Sequence, residues 1–289
     1  MIHDLPTHVR RLYVRSRKLV EGLFAGSYHS VFKGPGIEFD EVREYEYGDD
    51  VRFIDWNVSS RMSTPYSKTF KEERELIFFV LVDVSASLSM GSAGIDKREQ
   101  AGNIFALLAL AAEANSDRVG SLLFSNRVER LVVPMRGRRH VLSQISEVLG
   151  YQADGRGSDL KLALQAASRS LKRRSIVVIL SDFRCDGYQT ELALLSRGHD
   201  VIAVRLKDSL DRNFPPSGLL EFLDPENDGG FTAWGASRLL KKEYGEFWEE
   251  QRQRWLADCR ASETDILEVG TDEEAAEALQ LFFRRRRRR

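Results

Sequence analysis

The hydrophobic positions along the chain change their spacing at residue 76. Ahead of it, Leu5, Val9, Leu12, Leu19 and Leu23 recur at helical intervals behind Asp4, a candidate N-cap, and predict an amphipathic first helix over 5–24. Residues 29–62 then break into short apolar, aromatic and charged runs separated by Gly and "GDD" punctuation, which predicts short strands and turns. A segment this small holds no core of its own, so it is expected to pack on the larger remainder of the chain.

From "LIFFVLVD" at 76–83 onward, apolar runs of strand length alternate with longer helical patterns. Strands are predicted over 76–83, 118–124, 128–133, 175–181 and 200–206, with helices over 97–115, 138–149, 158–173 and 187–198. This alternation predicts an α/β fold: a mostly parallel sheet with helices on both faces. Strands 118–124 and 128–133 are joined by little more than "SNR", enough for a hairpin but not for a parallel crossover, so one edge strand is expected to be antiparallel. Beyond 206 the pattern gives two strands around an acidic turn, a long helix over 237–260, a short strand at "DILEV" and a final helix over 272–283. The expected organisation is a helix and β-rich segment 1–72 packed on a main domain 73–289 that ends in a helical extension.

Composition narrows the function classes. The chain of 289 residues carries 43 basic and 44 acidic side chains, a formal charge of -1, so no global field draws it to nucleic acid or to an anionic membrane. Cys185 and Cys259 stand far apart, without a CxxC pair or a His at metal spacing, and read as free thiols in a reducing compartment. The first residues lack the apolar core of a signal peptide, and no run approaches the ~20 apolar residues of a membrane span. A cytoplasmic protein is expected.

The chemistry gathers at strand ends. In an open α/β sheet, ligands bind where loops leave the carboxyl ends of the strands. The run 76–83 delivers Asp83 to that edge, and Ser85 and Ser87 follow it in a D-x-S-x-S string. A second apolar strand, "VVILSDF", ends on Asp182, and Ser158 lies in the Gly-flanked loop "GRGSDL" at a helix start. Five oxygen-bearing side chains are thus expected to converge from three loops. Oxygen donors of this kind suit a hard cation, Mg2+ or else Mn2+ or Ca2+, and disfavour zinc or copper.

D-x-S-x-S after the first strand, a hydroxyl in a Gly-rich loop and an Asp closing a later strand resemble the metal-ion-dependent adhesion site of von Willebrand factor A domains, over about 70–270. The strings "GPGIEFDEVREYEYGDDVRFIDWNVSSR", "KTFKEERE" and "TDEEAAEALQLFFRRR" are similar, over nearly the whole chain, to the bacterial domain-of-unknown-function 58 proteins. Ser158 stands where such sites usually carry Thr, and Leu88 where Met often follows; neither change removes an oxygen. The resemblance implies a von Willebrand A-like fold with Asp83, Ser85, Ser87, Ser158 and Asp182 as metal ligands. It also implies work beside a MoxR-type AAA ATPase, as an adaptor in the assembly or maturation of other proteins.

With two carboxylates and hydroxyls around it, such a cation keeps a vertex for an outside ligand, and a partner's Asp or Glu would complete the shell. Arg156 and Arg184 flank the same loops and would either attract that acidic partner or stand as solvated surface arginines. Catalysis is not expected. A phosphatase-like Mg2+ hydrolase needs a second Asp where Ser85 stands, no G-x-S-x-G elbow pairs with a His, and no G-x-G-x-x-G follows the first strand. The alternative is nucleic-acid binding through the six arginines at 284–289, a basic run that holds phosphates without sequence choice.

Overall fold

The computed structural model describes residues 38–62, 64–71, 76–89, 91–92, 94–155, 157–211, 219–223, 230–234 and 238–286. The helix expected over 5–24 lies outside them. The described residues fall into two compact units, one up to residue 71 and one from Leu76 onward.

In the first unit, β1 (Glu38–Glu44) pairs antiparallel with β2 (Tyr66–Lys71), with Val42 opposite Lys68. The G-D-D-x-R-x-I-D-W string lies between them, and each of its three aspartates satisfies backbone or cationic donors. Asp49 binds the Arg43 guanidinium at 2.7 Å and the Glu46 amide at 3.1 Å. Asp50 caps the single turn Val51–Phe53 by accepting from the Arg52 amide. Gly48, at φ 113°, takes a backbone conformation that costs other residues steric strain. Asp55 Oδ1 accepts from the amides of Asn57 and Val58 at 3.0 and 3.2 Å and so starts a short helix, α1 (Trp56–Met62). This helix corrects the expectation of strands and turns alone: Asn, Val and Ser are poor helix formers, and the cap decides the outcome.

The second unit is built on a six-stranded sheet. Its strands are β3 (Ile77–Asp83), β4 (Arg118–Phe124), β5 (Val128–Met135), β6 (Ile176–Ser181), β7 (Asp200–Lys207) and β10 (Asp265–Gly270), in the order β10-β7-β6-β3-β4-β5. All neighbours are parallel except β4 and β5, so the expected antiparallel edge strand is β5. β8 (Leu219–Leu223) and β9 (Gly230–Trp234) form a separate antiparallel hairpin.

The unbroken apolar runs follow from burial on both faces. Along β3, Phe78, Val80 and Val82 point into one core while Phe79 and Leu81 point into the other. The first core is closed by α2 (Lys97–Ala114), α3 (Arg138–Gly150) and α7 (Ala275–Arg286); the second by α4 (Leu160–Ser170), α5 (Gln189–Gly198) and α6 (Arg238–Ala261). The final helix starts at Ala275 and runs to Arg286, three residues later at each end than its apolar spacing predicts. No helix among the described residues is long and apolar enough to cross a membrane.

Connectivity sets the location of the site. The chain leaves β3 for β4 through α2 on one face, and later enters β6, on the other side of β3, from α4 on the opposite face. Strand order therefore reverses between β3 and β6. That is where a crevice opens at the carboxyl edge of such a sheet.

Candidate metal centre

Asp83 ends β3 with no exposed surface (0%). Its Oδ1 accepts from the Ser85 amide at 2.9 Å, which turns the chain sharply off the strand. Its Oδ2 accepts from Ser158 Oγ at 2.9 Å and from Ser181 Oγ at 2.7 Å. Ser85 Oγ, just ahead of the turn Ala86–Ser89, is 3.0 Å from Ser87 Oγ within it. Asp83, Ser85, Ser87 and Ser158 thus form one hydrogen-bonded cluster. Burial pushes the Asp83 acid up to about 6, and the like charge of Asp182 adds to the rise, against the opposing pull of its bonds to Ser85 and Ser181.

Asp182 follows β6 and is also buried. It acts on Asp83 through charge, without a hydrogen bond between them. Phe183, the next residue, has φ 55°, a left-handed backbone that a bulky side chain rarely adopts. Its amide donates to Ser181 Oγ at 3.0 Å, and its ring packs on Tyr188 and Trp255. Strain of this kind, about 1–3 kcal/mol, persists only where surrounding contacts impose it, and here it sits directly beside a site carboxylate.

Two cations face Asp182. Its Oδ2 takes no hydrogen bond of good geometry, yet Arg184 Nε lies 3.2 Å and Lys97 Nζ 3.6 Å from it. Arg184 also binds Asp211 and lies 4.2 Å over the Trp248 ring. It is therefore held on three sides and is not a free, solvated surface arginine. Arg156 lies outside the described residues.

Ser158 is positioned by its own loop. Glu129, whose side chain is only 2% exposed, accepts from Ser125 Oγ at 2.5 Å and from the Gly155 amide at 2.8 Å. Burial raises the Glu129 acid, but the Ser125, Gly155 and Arg127 contacts outweigh it and hold the group below its ordinary range. Arg127 reaches Asp154 at 2.7 Å, and the Asp159 amide donates to the Ser125 carbonyl at 2.9 Å. Asp159 Oδ1 then caps α4 through the Leu162 amide. A Cβ at Gly155 would meet Ser125 Oγ at 2.1 Å and Asn126 Oδ1 at 2.3 Å, so a larger residue requires these side chains or the loop to move.

The donor chemistry fits a hard divalent cation: two buried carboxylates, Asp83 and Asp182, and hydroxyls from separate loops, with Asp182 Oδ2 already facing Arg184 and Lys97. Among the described residues no group of three or more His, Cys, Asp and Glu side chains is gathered to hold a metal ion. A cation here would depend on Asp83 and Asp182 with Ser85, Ser87 and Ser158, and the hydroxyls are essential to the count. Nearby Cys185 is a poor thiolate ligand, because burial first, and the Asp83 and Asp182 charges after it, push its thiol up to about 12.

Sequence reasoning missed Ser181, Lys97 and Asp211. Ser181 directly precedes Asp182 in "VVILSDF", and its polarity within an apolar strand is a usable signal. Lys97 opens a helix in "DKREQ", where a charged residue normally faces water, and nothing local marks it as buried.

Comparison with known proteins places the chain. An uncharacterized protein of Mycobacterium tuberculosis is 28% identical over 98% of this chain and 90% of its own length, and one of Mycobacterium bovis matches equally. Among solved structures, the conserved hypothetical protein BatB from Bacteroides thetaiotaomicron aligns with a TM-score of 0.46 and 13% identity, over 74% of this chain and all of that one. An aerotolerance-related membrane protein from Bacteroides fragilis aligns with a TM-score of 0.48 and 13% identity, over 73% of this chain and 99% of that one. Residues 41–254 match the family described as "Protein of unknown function DUF58". The chain belongs to the DUF58 family.

Proposed function

We propose that the protein is a metal-ion-dependent protein-binding module, which takes Mg2+ (or Mn2+ or Ca2+) between Asp83, Ser85, Ser87, Ser158 and Asp182 and offers it to an acidic side chain of a partner. The observation that carries this reading is Asp83: a fully buried carboxylate that accepts from serines of two distant segments at the point where strand order reverses. Burying such a charge is costly unless something cationic answers it. When bound, the cation supplies that charge and a coordination position for an outside oxygen; the chain's own residues orient the donors.

The D-x-S-x-S string and the likeness to von Willebrand A adhesion sites support binding over catalysis. So does the surrounding chemistry. His140 is engaged with the Val119 carbonyl and Gln144, and the Cys185 thiol stays protonated at neutral pH, so neither supplies an activated base or nucleophile at this edge. The family resemblance makes a MoxR-type AAA ATPase the partner to test, with the module as its adaptor in the cytoplasm. The nucleic-acid alternative has less support, since Arg286 of the terminal run is bound to Asp200 and Asp265.

The test is capture of partners from the source cell in Mg2+ and in EDTA, with the native chain and Asp83→Ala. A partner held in Mg2+ and released by EDTA and by the substitution is the expected result; equal retention in every arm removes the proposal.

A further inference from the structure

Lys97 is the first residue of α2, and its side chain has no exposed surface (0%). A lysine is almost never buried to that degree unless paired. Its Nζ lies 2.9 and 2.8 Å from the two carboxylate oxygens of Asp211 and 3.6 Å from Asp182 Oδ2. Asp211 is fixed in turn, because its Oδ2 accepts from the Asp208 amide at 2.9 Å. Arg184 closes the ring by binding Asp182 and Asp211 together while lying on Trp248. The neighbouring charges cancel in number: Asp208, which keeps its charge within bonds from the Ser92 amide and Thr271, and Glu268 stand against Arg205 and Arg252.

Asp182 and Asp211 contact Lys97 and Arg184, and Asp83 joins the group through the charge of Asp182, so three carboxylates stand with two cations. One negative charge is in excess. A divalent cation would reverse that sign and leave one positive charge, which a single carboxylate answers. Without Lys97 and Arg184 the same cation would be over-neutralised by the protein's own acids, with nothing left to attract a partner.

We propose that Lys97, Asp211 and Arg184 are a buried charge-setting frame, which keeps the site's metal affinity moderate and leaves the loaded site positive by one charge for one partner carboxylate. The inference rests on the metal-binding reading above and adds the residues that set its strength and sign. They act through Asp182 and are positioning residues, not ligands.

The test is calorimetric titration of the full chain with Mg2+ alone, at neutral pH. Arg184→Gln removes one positive charge and is expected to tighten Mg2+ about tenfold, since a unit charge near a divalent ion is worth at least that much at the effective dielectric of a protein. Asp211→Asn keeps an acceptor for the Asp208 amide, leaves Lys97 the Asp182 carboxylate, removes a negative charge, and is expected to weaken Mg2+ about tenfold. Its fold is verified by thermal melting, and Asp211→Glu, the charge-conserving control, is expected to stay near native. Lys97→Met alone strands a buried Asp211 and endangers folding, so the double variant Lys97→Met with Asp211→Asn is used; it conserves net charge and is expected to stay within about threefold of native. Arg184→Lys is likewise expected to stay near native. A merely structural role would weaken binding in every variant. Native binding with no opposite shifts between Arg184→Gln and Asp211→Asn overturns the frame and leaves the metal site standing, whereas a folded native chain that takes no Mg2+ overturns both.

Discussion

Ser158 Oγ lies 2.9 Å from Asp83 Oδ2 across 75 residues of sequence, and the loop between Gly155 and α4 delivers it there. The backbone of that loop is as much a part of the site as its hydroxyl.

Gly155→Ala is therefore expected to damage the site from a distance. The added methyl would drive into Ser125 Oγ and Asn126 Oδ1, displacing the side chains that hold the loop of Ser158. Overpacking of this kind costs about 1–3 kcal/mol. Urea unfolding should show that loss, and Mg2+ titration should show weaker binding although no ligand has changed.

Ser181→Ala tests the donor that lies at the end of β6. It removes the 2.7 Å bond to Asp83 Oδ2, and hydrogen bonds to charged groups contribute about 1.5–3 kcal/mol. The loss should appear in unfolding experiments at neutral pH and shrink in acid, where Asp83 is protonated. A loss of equal size at both would mean that Ser181 serves packing alone.

The pH dependence of the metal-free protein has a definite sign. The Asp83 acid is raised from its ordinary 3.8 to about 6, so the folded chain binds its proton more tightly than the unfolded one. The corresponding stability is fully present below about 4 and is lost as pH rises through about 6. Thermal unfolding in EDTA should show this group's contribution falling across that window, and Mg2+ should restore it at the upper end. In Asp83→Asn both the fall and the Mg2+ response should disappear.

Truncation of 284–289 separates the fold from the alternative function. Arg286 Nε is 2.9 Å from Asp265 Oδ2, and the same guanidinium binds Asp200, joining α7 to β10 and β7. Removing it is expected to cost about 1 kcal/mol. Arg286→Ala alone should reproduce the loss in melting temperature. A truncated chain as stable as the native one would show that the pairing contributes nothing.

The sequence made the sheet legible because its strands are buried on both faces, and seven apolar residues before Asp83 admit few other readings. The edge that carries the site was legible for the same reason, since β3 and β6 each give way to a carboxylate there. The helix Trp56–Met62 was not, because its start depends on Asp55 capping two amides and not on residue preference. Lys97 was hidden for a different reason. Its burial depends on Asp182 and Asp211, which arrive with later strands, so no window of local sequence contains the cause.

β3 and β6 lie side by side and parallel, joined by main-chain bonds from Phe78 opposite Ile176 to Val82 opposite Leu180, and both finish at the same rim. Were a cation held between their tips as proposed, a pull on it along the strands would move both together and load in shear the ladders to their outer neighbours, β3 to β4 and β6 to β7. Helical layers back both strands on either face, so the pull is shared by the whole sandwich. Under the proposed function, a site built this way would yield only together with the sheet around it.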